Sequence, residues 1–239
     1  MFDNYPKEMF NTKSADHLLN VLLDLVKPTS VLDVGCGNGS WLKVFENHKI
    51  TDIIGVDGFY VPKESLLIDL NKFVASDLTQ PLQLNRKFDL VVSLEVAEHL
   101  PEENADVFVE NLINHGDTIL FSAAIPYQGG LRHLNEQYPS YWQKKFSKYD
   151  YAFYDIIRPK IWNDKEVKVW YKQNSFIVAN KDSLIAKQFK PNDWLDIVHP
   201  ELFDREANRA TNFENGDAGI KNAFSGLKKA VLKKFGLRK

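Results

Sequence analysis

The chain has 239 residues, of which 44% are hydrophobic and 26% are charged, and its formal net charge is −2 at pH 7. This length and apolar content are usual for one α/β domain with a few additions. The single cysteine excludes a disulfide framework and favours a reducing compartment. We also find no apolar run of the roughly eighteen residues that a membrane-spanning helix needs, and we expect a cytoplasmic protein.

Short apolar strand patterns alternate with helical patterns along most of the chain. Such alternation predicts a parallel sheet with helices on both of its faces. A late strand near residues 175–179 is expected to pair antiparallel at the edge of the sheet. The five earlier strands are predicted near residues 30–34, 53–57, 73–77, 88–94 and 118–123.

The first strand pattern stops at three glycines, Gly35, Gly37 and Gly39, and a helical pattern resumes at Ser40. Glycine tolerates positive φ and lets the backbone approach a ligand closely, so this loop predicts a floor for a flat, polar cofactor. A dinucleotide-binding loop would need glycine at position 40, where this chain has serine. The spacing therefore disfavours a nicotinamide-dependent oxidoreductase.

The stretch from Asp33 to Gly39 reads Asp-x-Gly-x-Gly-x-Gly, which resembles motif I of class I S-adenosylmethionine (SAM) methyltransferases. The resemblance implies an α/β, Rossmann-like, doubly wound and mostly parallel seven-stranded sheet with an antiparallel edge strand. It also implies that Asp33 faces the methionine ammonium of SAM. The loop residues expected to lie against the cofactor are Gly35, Cys36, Gly37 and Gly39.

Further acids follow the next two strand patterns. Asp57 ends the second, and one carboxylate can accept hydrogen bonds from both hydroxyls of a ribose, so we predict a ribose ligand there. Asp77 follows the third, and in the resembled family an acid at this place lies beside the adenine amino group. That resemblance assigns the adenine to Asp77 and Leu78. Leu94 and Glu95, after the fourth strand, complete the predicted cofactor contacts.

A second polar cluster follows the fourth strand, where Glu95, Glu98 and His99 would share a face if the segment formed one helical turn. One interpretation makes His99 or His133 the base that takes the acceptor proton, with Glu98 as the orienting carboxylate. Another makes the cluster a site for a divalent cation such as Mg²⁺. The Glu-x-x-Glu-His pattern resembles quinone-biosynthesis O-methyltransferases and small-RNA 2′-O-methyltransferases, where it binds a metal. A purely structural acidic cap remains a third interpretation. The candidate metal ligands are Glu95, Glu98, His99 and His133.

Residues 125–142 form a long polar segment after the fifth strand, and long loops at this edge of a sheet are commonly functional. Its His-x-Asn-Glu-Gln-x-Pro-Ser-Tyr-Trp stretch, with residues 157–162 and 170–174, resembles bacterial methyltransferases found with surface-polysaccharide genes. That resemblance implies a sugar or glycan acceptor. The predicted acceptor contacts are Tyr127, Arg132, Asn135 and Glu136.

The last 21 residues, 219–239, contain seven lysines and arginines and no acid, so residues 1–218 carry a net charge of −9. Their apolar residues recur at helical spacing, which predicts a basic amphipathic helix in an extension over residues 201–239, after a methyltransferase domain over residues 1–200. Such a helix can rest on the inner face of an anionic membrane. It can equally pack on its own domain or on a partner subunit, as in a homodimer.

The sequence as a whole predicts a SAM-dependent O-methyltransferase acting on a sugar or sugar-linked group in bacterial capsule or lipopolysaccharide synthesis. One alternative is methylation of another small molecule or of an RNA 2′-hydroxyl with metal assistance. Another is a non-catalytic SAM-binding scaffold. The acidic charge of residues 1–218 argues against extended contacts with nucleic acid.

Overall fold

The computed structural model describes residues 12–235, which fall into two compact units divided between Ile197 and Val198. The first unit is a seven-stranded sheet with helices on both faces. Its strands are β1 Ser30–Val34, β2 Asp52–Asp57, β3 Phe73–Ala75, β4 Leu90–Leu94, β5 Thr118–Ser122, β6 Tyr151–Tyr154 and β7 Phe176–Asn180. Its helices are α1 Lys13–Leu25, α2 Ser40–Asn47, α3 Ala105–Ile113, α4 Pro139–Phe146, α5 Arg158–Ile161, α6 Val169–Asn174 and α7 Leu184–Gln188.

The strands lie in the order β3-β2-β1-β4-β5-β7-β6. β1 pairs in parallel with both β2 and β4, while β7 pairs antiparallel with β5 and with β6. The predicted Rossmann-like, mostly parallel seven-stranded sheet is therefore confirmed. In such a sheet the carboxyl ends of the parallel strands meet at one edge, where ligands bind. The residues that follow β1, β2 and β4 consequently lie along one side of the molecule.

The position of the late strand differs from the prediction. β7 is antiparallel as expected, but it lies inside the sheet, and β6 forms the edge beside it. β6 spans only four residues, Tyr151–Tyr154, directly after Asp150, whose φ is 61°. A run this short carries too little periodicity to be recognised as a strand, and only its pairing with β7 defines it.

Two hydrophobic cores cover the two faces of the sheet. Successive residues of a strand point to opposite faces, and β1 accordingly places Leu32 in one core and Val31 in the other. Phe108 of α3 and Trp142 of α4 lie in the core with Leu32. Leu22 of α1 lies in the core with Val31. Both faces of the central strands are thus closed to solvent, which directs a ligand to the strand ends.

A buried ion pair ties the last helices of this unit to the sheet. Arg158 is 1% exposed and donates through Nε and Nη2 to the two carboxylate oxygens of Asp155, at 2.9 and 2.7 Å. Its Nη1 donates to the carbonyl of Gln173 at 3.1 Å, and the guanidinium lies 4.0 Å from the ring centroid of Phe176. Arg158 therefore joins α5, the end of α6 and the start of β7.

The second unit contains two helices, α8 Pro200–Glu214 and α9 Ile220–Lys234. None of the helices within residues 12–235 combines the length and apolarity needed to cross a bilayer.

Replacing Arg158 with Met should destabilise the first unit by about 3 kcal/mol, because the carboxylate of Asp155, only 12% exposed, would lose its partner. Chemical denaturation of the full chain measures this change. Adding Asp155→Asn should recover part of the loss, since it removes the unpaired charge. The control is Lys181→Met, which breaks an exposed pair with Asp150 at 2.7 Å and should change the midpoint little. Equal effects of Arg158→Met and Lys181→Met would contradict this assignment.

Candidate functional site

The glycine loop between β1 and α2 adopts a backbone that other residues rarely adopt. Gly35, Gly37 and Gly39 have φ values of 86°, 56° and 80°. A Cβ on Gly35 would lie 2.4 Å from Cγ2 of Val96, and one on Gly39 would lie 2.9 Å from Cγ1 of Ile68. The loop thus needs glycine for conformation and for space, and it lies at the carboxyl end of β1.

Two buried carboxylates, Asp33 and Asp57, flank this loop. Asp33 lies in β1, and burial together with the charge of Asp57 raises the pKa of Asp33 to about 8. Asp57, the last residue of β2, accepts the N–H of Gly37 at 2.7 Å through Oδ2. Its Oδ1 accepts the N–H of Gly58 and the hydroxyl of Tyr60, each at 2.6 Å. Burial raises the pKa of Asp57 even though these three hydrogen bonds lower it. Asp57 therefore holds the glycine loop against β2.

The remaining residues near the loop differ in exposure. Cys36 and Leu78 are buried, and burial raises the pKa of the Cys36 thiol well above its usual range. Asp77 is exposed, and its Oδ1 accepts the N–H and the hydroxyl of Thr79 at 3.0 and 2.8 Å. Asp77 therefore closes a local turn with one oxygen.

Glu95 follows β4 in a left-handed backbone conformation, with φ of 55°. The helical turn on which Glu95, Glu98 and His99 would share a face does not form, because this φ interrupts it and a 3₁₀ turn begins only at Ala97. The carboxylate of Glu95 accepts the side-chain amide of Gln128 at 2.7 Å and that of Asn174 at 3.0 Å. Burial raises the pKa of Glu95 to about 7 despite these bonds.

The three predicted catalytic residues, Glu98, His99 and His133, lie close together in the structure. One ligand atom from each of Glu98, His99 and His133 lies within 4.8 Å of the others. The two imidazole rings meet edge to face, with their centroids 4.9 Å apart. Glu95 is outside this group, since both of its oxygens face amides on other elements. The fold thus separates Glu95 from the other three predicted metal ligands.

The carboxyl of Glu98 is completely buried, and neither of its oxygens accepts a well-formed hydrogen bond. Burial and the nearby charge of Glu95 raise its pKa well above the usual range, and the backbone N–H groups of Glu98 and Ala124 offset only part of that shift. Burying a polar group without a partner is costly, so such a group often marks a place where a ligand or an ion binds.

The two histidines have different partners. Nδ1 of His99 lies 3.4 Å from the carbonyl of Arg132, and burial and the neighbouring His133 lower the pKa of His99. Nδ1 of His133 lies 2.7 Å from Oε1 of Glu136. Because both partners are acceptors, each ring carries its proton on Nδ1 when neutral and keeps a lone pair on Nε2.

The loop between β5 and α4 closes over this cluster. The carbonyl of Glu98 accepts the N–H groups of Leu134 and Asn135 at 2.7 and 3.0 Å. Glu136 also accepts the N–H groups of Tyr127 and Gly129, at 2.9 and 2.8 Å. Of the predicted acceptor contacts, Glu136 therefore holds the loop in shape.

The other predicted acceptor contacts differ in how far their side chains are exposed. Asn135 is buried, and its Oδ1 accepts the amide of Gln137 at 2.9 Å. Tyr127 is 81% exposed, and Arg132 is exposed as well. Of the predicted acceptor contacts, only Tyr127 and Arg132 thus have exposed side chains.

Sequence reasoning missed several residues of the site, namely Tyr60, Val96, Gln128 and Asn174. Gln128 and Asn174 reach Glu95 from segments far along the chain, and Val96 packs on Gly35. Asn174 lies in the segment 170–174 and Gln128 in the segment 125–142, which the sequence singles out without assigning either residue a role. Tyr60 lies three residues after Asp57, but its contact with Asp57 depends on how the loop after β2 folds.

Comparison with known proteins supports one chemical class. Residues 5–121, just under half of the chain, match the family model described as "Methyltransferase domain". A comparison with curated proteins finds no match.

Solved structures give the same fold. DesVI of Streptomyces venezuelae has 15% identity and a TM-score of 0.52, covering 70% of this chain and 92% of its own. The methyltransferase domain of bacterial CtHen1 has 21% identity and a TM-score of 0.51, covering 70% and 97%. The plantazolicin methyltransferase BpumL, solved with a desmethylPZN analogue and S-adenosylhomocysteine, has 13% identity and a TM-score of 0.52, covering 72% and 84%. Residues 5–121 are therefore similar to a methyltransferase domain, and the first unit has the fold of these methyltransferase structures.

Proposed function

We propose that the chain transfers the methyl group of SAM to a hydroxyl of a sugar or sugar-linked acceptor in bacterial surface glycan synthesis. The observation that carries this proposal is the pair of neighbouring imidazoles, His99 and His133, beside an exposed polar loop. An alcohol is a weak nucleophile near neutral pH, so its methylation benefits from a positioned base. Two such bases lie beyond β4 and β5, the side on which an open sheet of this kind binds its ligands.

The proposed transfer needs little from the protein beyond alignment and one proton acceptor. The acceptor oxygen forms a bond to the methyl carbon while the bond from that carbon to the sulphonium sulphur breaks. S-adenosylhomocysteine leaves, and the hydroxyl proton passes to Nε2 of His99 or His133. The lowered pKa of His99 keeps that imidazole neutral and ready to accept a proton at pH 7. Glu136 orients His133 and stabilises it once it is charged.

The choice of a sugar rests on the acceptor loop and on charge. Tyr127 and Arg132 extend from this loop into solvent, and an aromatic face with a polar neighbour suits a sugar or a nucleotide sugar. The resemblance of residues 133–142 to polysaccharide-associated bacterial methyltransferases points the same way. The charge of −9 on residues 1–218 disfavours an extended nucleic-acid acceptor.

On the donor side, we assign the methionine ammonium of SAM to Asp33 and its ribose to Asp57. Both carboxylates are buried next to the glycine loop, which supports a ligand with a cationic group and two hydroxyls. For the adenine, the buried Leu78 is a better supported contact than the Asp77 side chain, which bonds Thr79.

Glu98, His99 and His133 also fit a divalent cation. Two imidazole nitrogens and one buried carboxylate lacking hydrogen bonds form a compact donor set. Because two of the three donors are nitrogen, the set suits Mn²⁺, Fe²⁺ or Zn²⁺ better than Mg²⁺. Such an ion would acidify a hydroxyl that approaches it, and these three residues would hold it. This metal-assisted form remains a second proposal, in which the histidines are ligands and not bases.

SAM affinity should rise as the pH rises from 6 to 7.5, by up to about tenfold per pH unit. The reason is that the pKa of Asp33 is about 8, so the carboxyl is mostly protonated in this range and must lose a proton to pair with the ammonium. Titration calorimetry in buffers of different ionisation enthalpy measures the protons released. Asp33→Asn should bind more weakly with a flatter pH dependence, whereas Asp52→Asn, at the exposed start of β2, should behave as wild type. An unchanged pH dependence in Asp33→Asn would refute the role of Asp33.

Replacing with Ala whichever of His99 and His133 is the base should lower methyl transfer by about 10²- to 10⁴-fold and leave SAM affinity unchanged, because the base acts only on the acceptor. Transfer of isotopically labelled methyl from SAM to a panel of nucleotide sugars measures this, with short RNA and peptide acceptors in parallel. The control is His48→Ala, which changes an exposed histidine at the end of α2. Full activity in both test variants would refute the base, and transfer to RNA alone would refute the sugar.

Metal uptake should require Glu98. After chelation and dialysis, the wild type should bind one Mn²⁺ or Zn²⁺ per chain in calorimetry, and Glu98→Gln should bind it at least about tenfold more weakly. Glu102→Gln, at an exposed acid nearby, is the matched control. Absence of uptake by the wild type would eliminate the metal-assisted form and leave the histidine base.

A further inference from the structure

The second unit carries an apolar surface that the described residues leave open. Helix α9 presents Ile220, Phe224, Leu227 and Val231, followed by Phe235 at its end, at intervals of three or four residues. Residues at this spacing share one face of a helix. We call these five residues the apolar stripe. They are between 44% and 84% exposed.

The contact between α9 and α8 uses a different face. A Cβ on Gly226 would lie 2.6 Å from Cζ of Phe213, so α9 approaches α8 at this glycine. At about 100° per residue, Gly226 lies roughly 100° to 160° around the helix from Leu227, Phe224 and Ile220. Pairing with α8 within the second unit therefore leaves the apolar stripe exposed.

Three lysines of α9 border the stripe, and two lie on the side of the helix that carries Gly226. α9 contains five lysines and no acid: Lys221, Lys228, Lys229, Lys233 and Lys234. Within residues 12–235, none of the five takes part in an ion pair or in a hydrogen bond through its side chain. Lys221 and Lys228 border one side of the stripe, and Lys234 borders the other. Their long aliphatic stems can lie along apolar surface while the ammonium groups reach outward.

We propose that α9 is a docking surface for an anionic lipid bilayer, with the apolar stripe entering the interface and the lysines contacting lipid phosphates. Both features match this one partner. An apolar face flanked by lysines is the pattern of helices that lie in the plane of a membrane surface, and each lysine near an anionic surface adds attraction. A second copy of α9 would instead bring its five lysines close to the five lysines of the first copy, and these like charges would repel each other. Nucleic acid would leave the exposed phenylalanines without a partner.

Vesicle co-sedimentation of the full chain tests this docking. The wild type should bind phosphatidylcholine vesicles that contain phosphatidylglycerol and should bind pure phosphatidylcholine weakly. The double variant Phe224→Ser, Leu227→Ser should lose at least about tenfold in partitioning, since each side chain buries apolar surface on binding. Because both side chains are exposed, these changes should leave the fold intact, which circular dichroism and the unfolding midpoint verify. Leu184→Ser is the matched control, because Leu184 is similarly exposed but lies in α7.

The charge contribution has its own variant. Replacing Lys228, Lys229, Lys233 and Lys234 with Gln should abolish the preference for phosphatidylglycerol. The control replaces four exposed lysines of the first unit, Lys27, Lys63, Lys165 and Lys190, with Gln and should keep that preference. High salt should weaken wild-type binding in the same way as the α9 lysine variant.

Three results would overturn the proposal. The first is that the wild type does not bind the anionic vesicles. The second is equal binding by Phe224→Ser, Leu227→Ser and by Leu184→Ser. The third is a dimer in sedimentation velocity that dissociates in the Phe224→Ser, Leu227→Ser variant while vesicle binding is unchanged, because the stripe would then cover a second copy.

Discussion

The backbone of the glycine loop after β1 constrains both halves of the site. Three residues with positive φ bring the chain close to the carboxyl end of β1, and Oδ2 of Asp57 accepts the N–H of Gly37 at 2.7 Å. Gly35 packs so closely on Val96 that a Cβ there would meet its methyl groups. Val96 directly follows Glu95 and precedes the turn that carries Glu98 and His99. The glycine loop and the segment that leads into the turn carrying Glu98 and His99 are therefore packed against each other.

Burial dominates the electrostatics of this contact. Asp33, Asp57, Glu95 and Glu98 all have raised pKa values, and burial is the largest cause for each. Four carboxyl groups held out of water are costly to the free protein unless they are protonated or paired. Under the proposed roles, a SAM ammonium near Asp33 and a proton or a metal ion near Glu98 would each relieve this cost.

The two units differ in how their apolar and charged residues are distributed. In residues 12–197, apolar side chains from both faces of the sheet are enclosed by helices, and exposed apolar residues are scattered. In α9 the apolar residues form one continuous exposed stripe beside unpaired lysines. Charge is distributed in the same uneven way, since residues 219–239 contain seven basic residues and no acid while residues 1–218 carry a net charge of −9. Under the proposed docking, the basic helix would be drawn to an anionic surface, while the acidic charge of residues 1–218 disfavours nucleic acid.

The sequence by itself determined the parallel sheet, the glycine loop and the acids at the ends of β1 and β2, because these depend on local patterns: strand period, glycine spacing and the residue that ends a strand. The sequence also identified Glu98, His99 and His133 as candidate catalytic residues or metal ligands, from their residue types. Only the tertiary structure decided that Glu95 turns away to Gln128 and Asn174, that Glu136 holds His133, and that β6 and not β7 forms the edge. The contacts of Glu95 and the pairing of β6 with β7 join segments far apart in the chain, and such contacts leave no period or spacing in a single sequence to read. His133 and Glu136 are only three residues apart, but their pairing depends on how the loop between β5 and α4 folds.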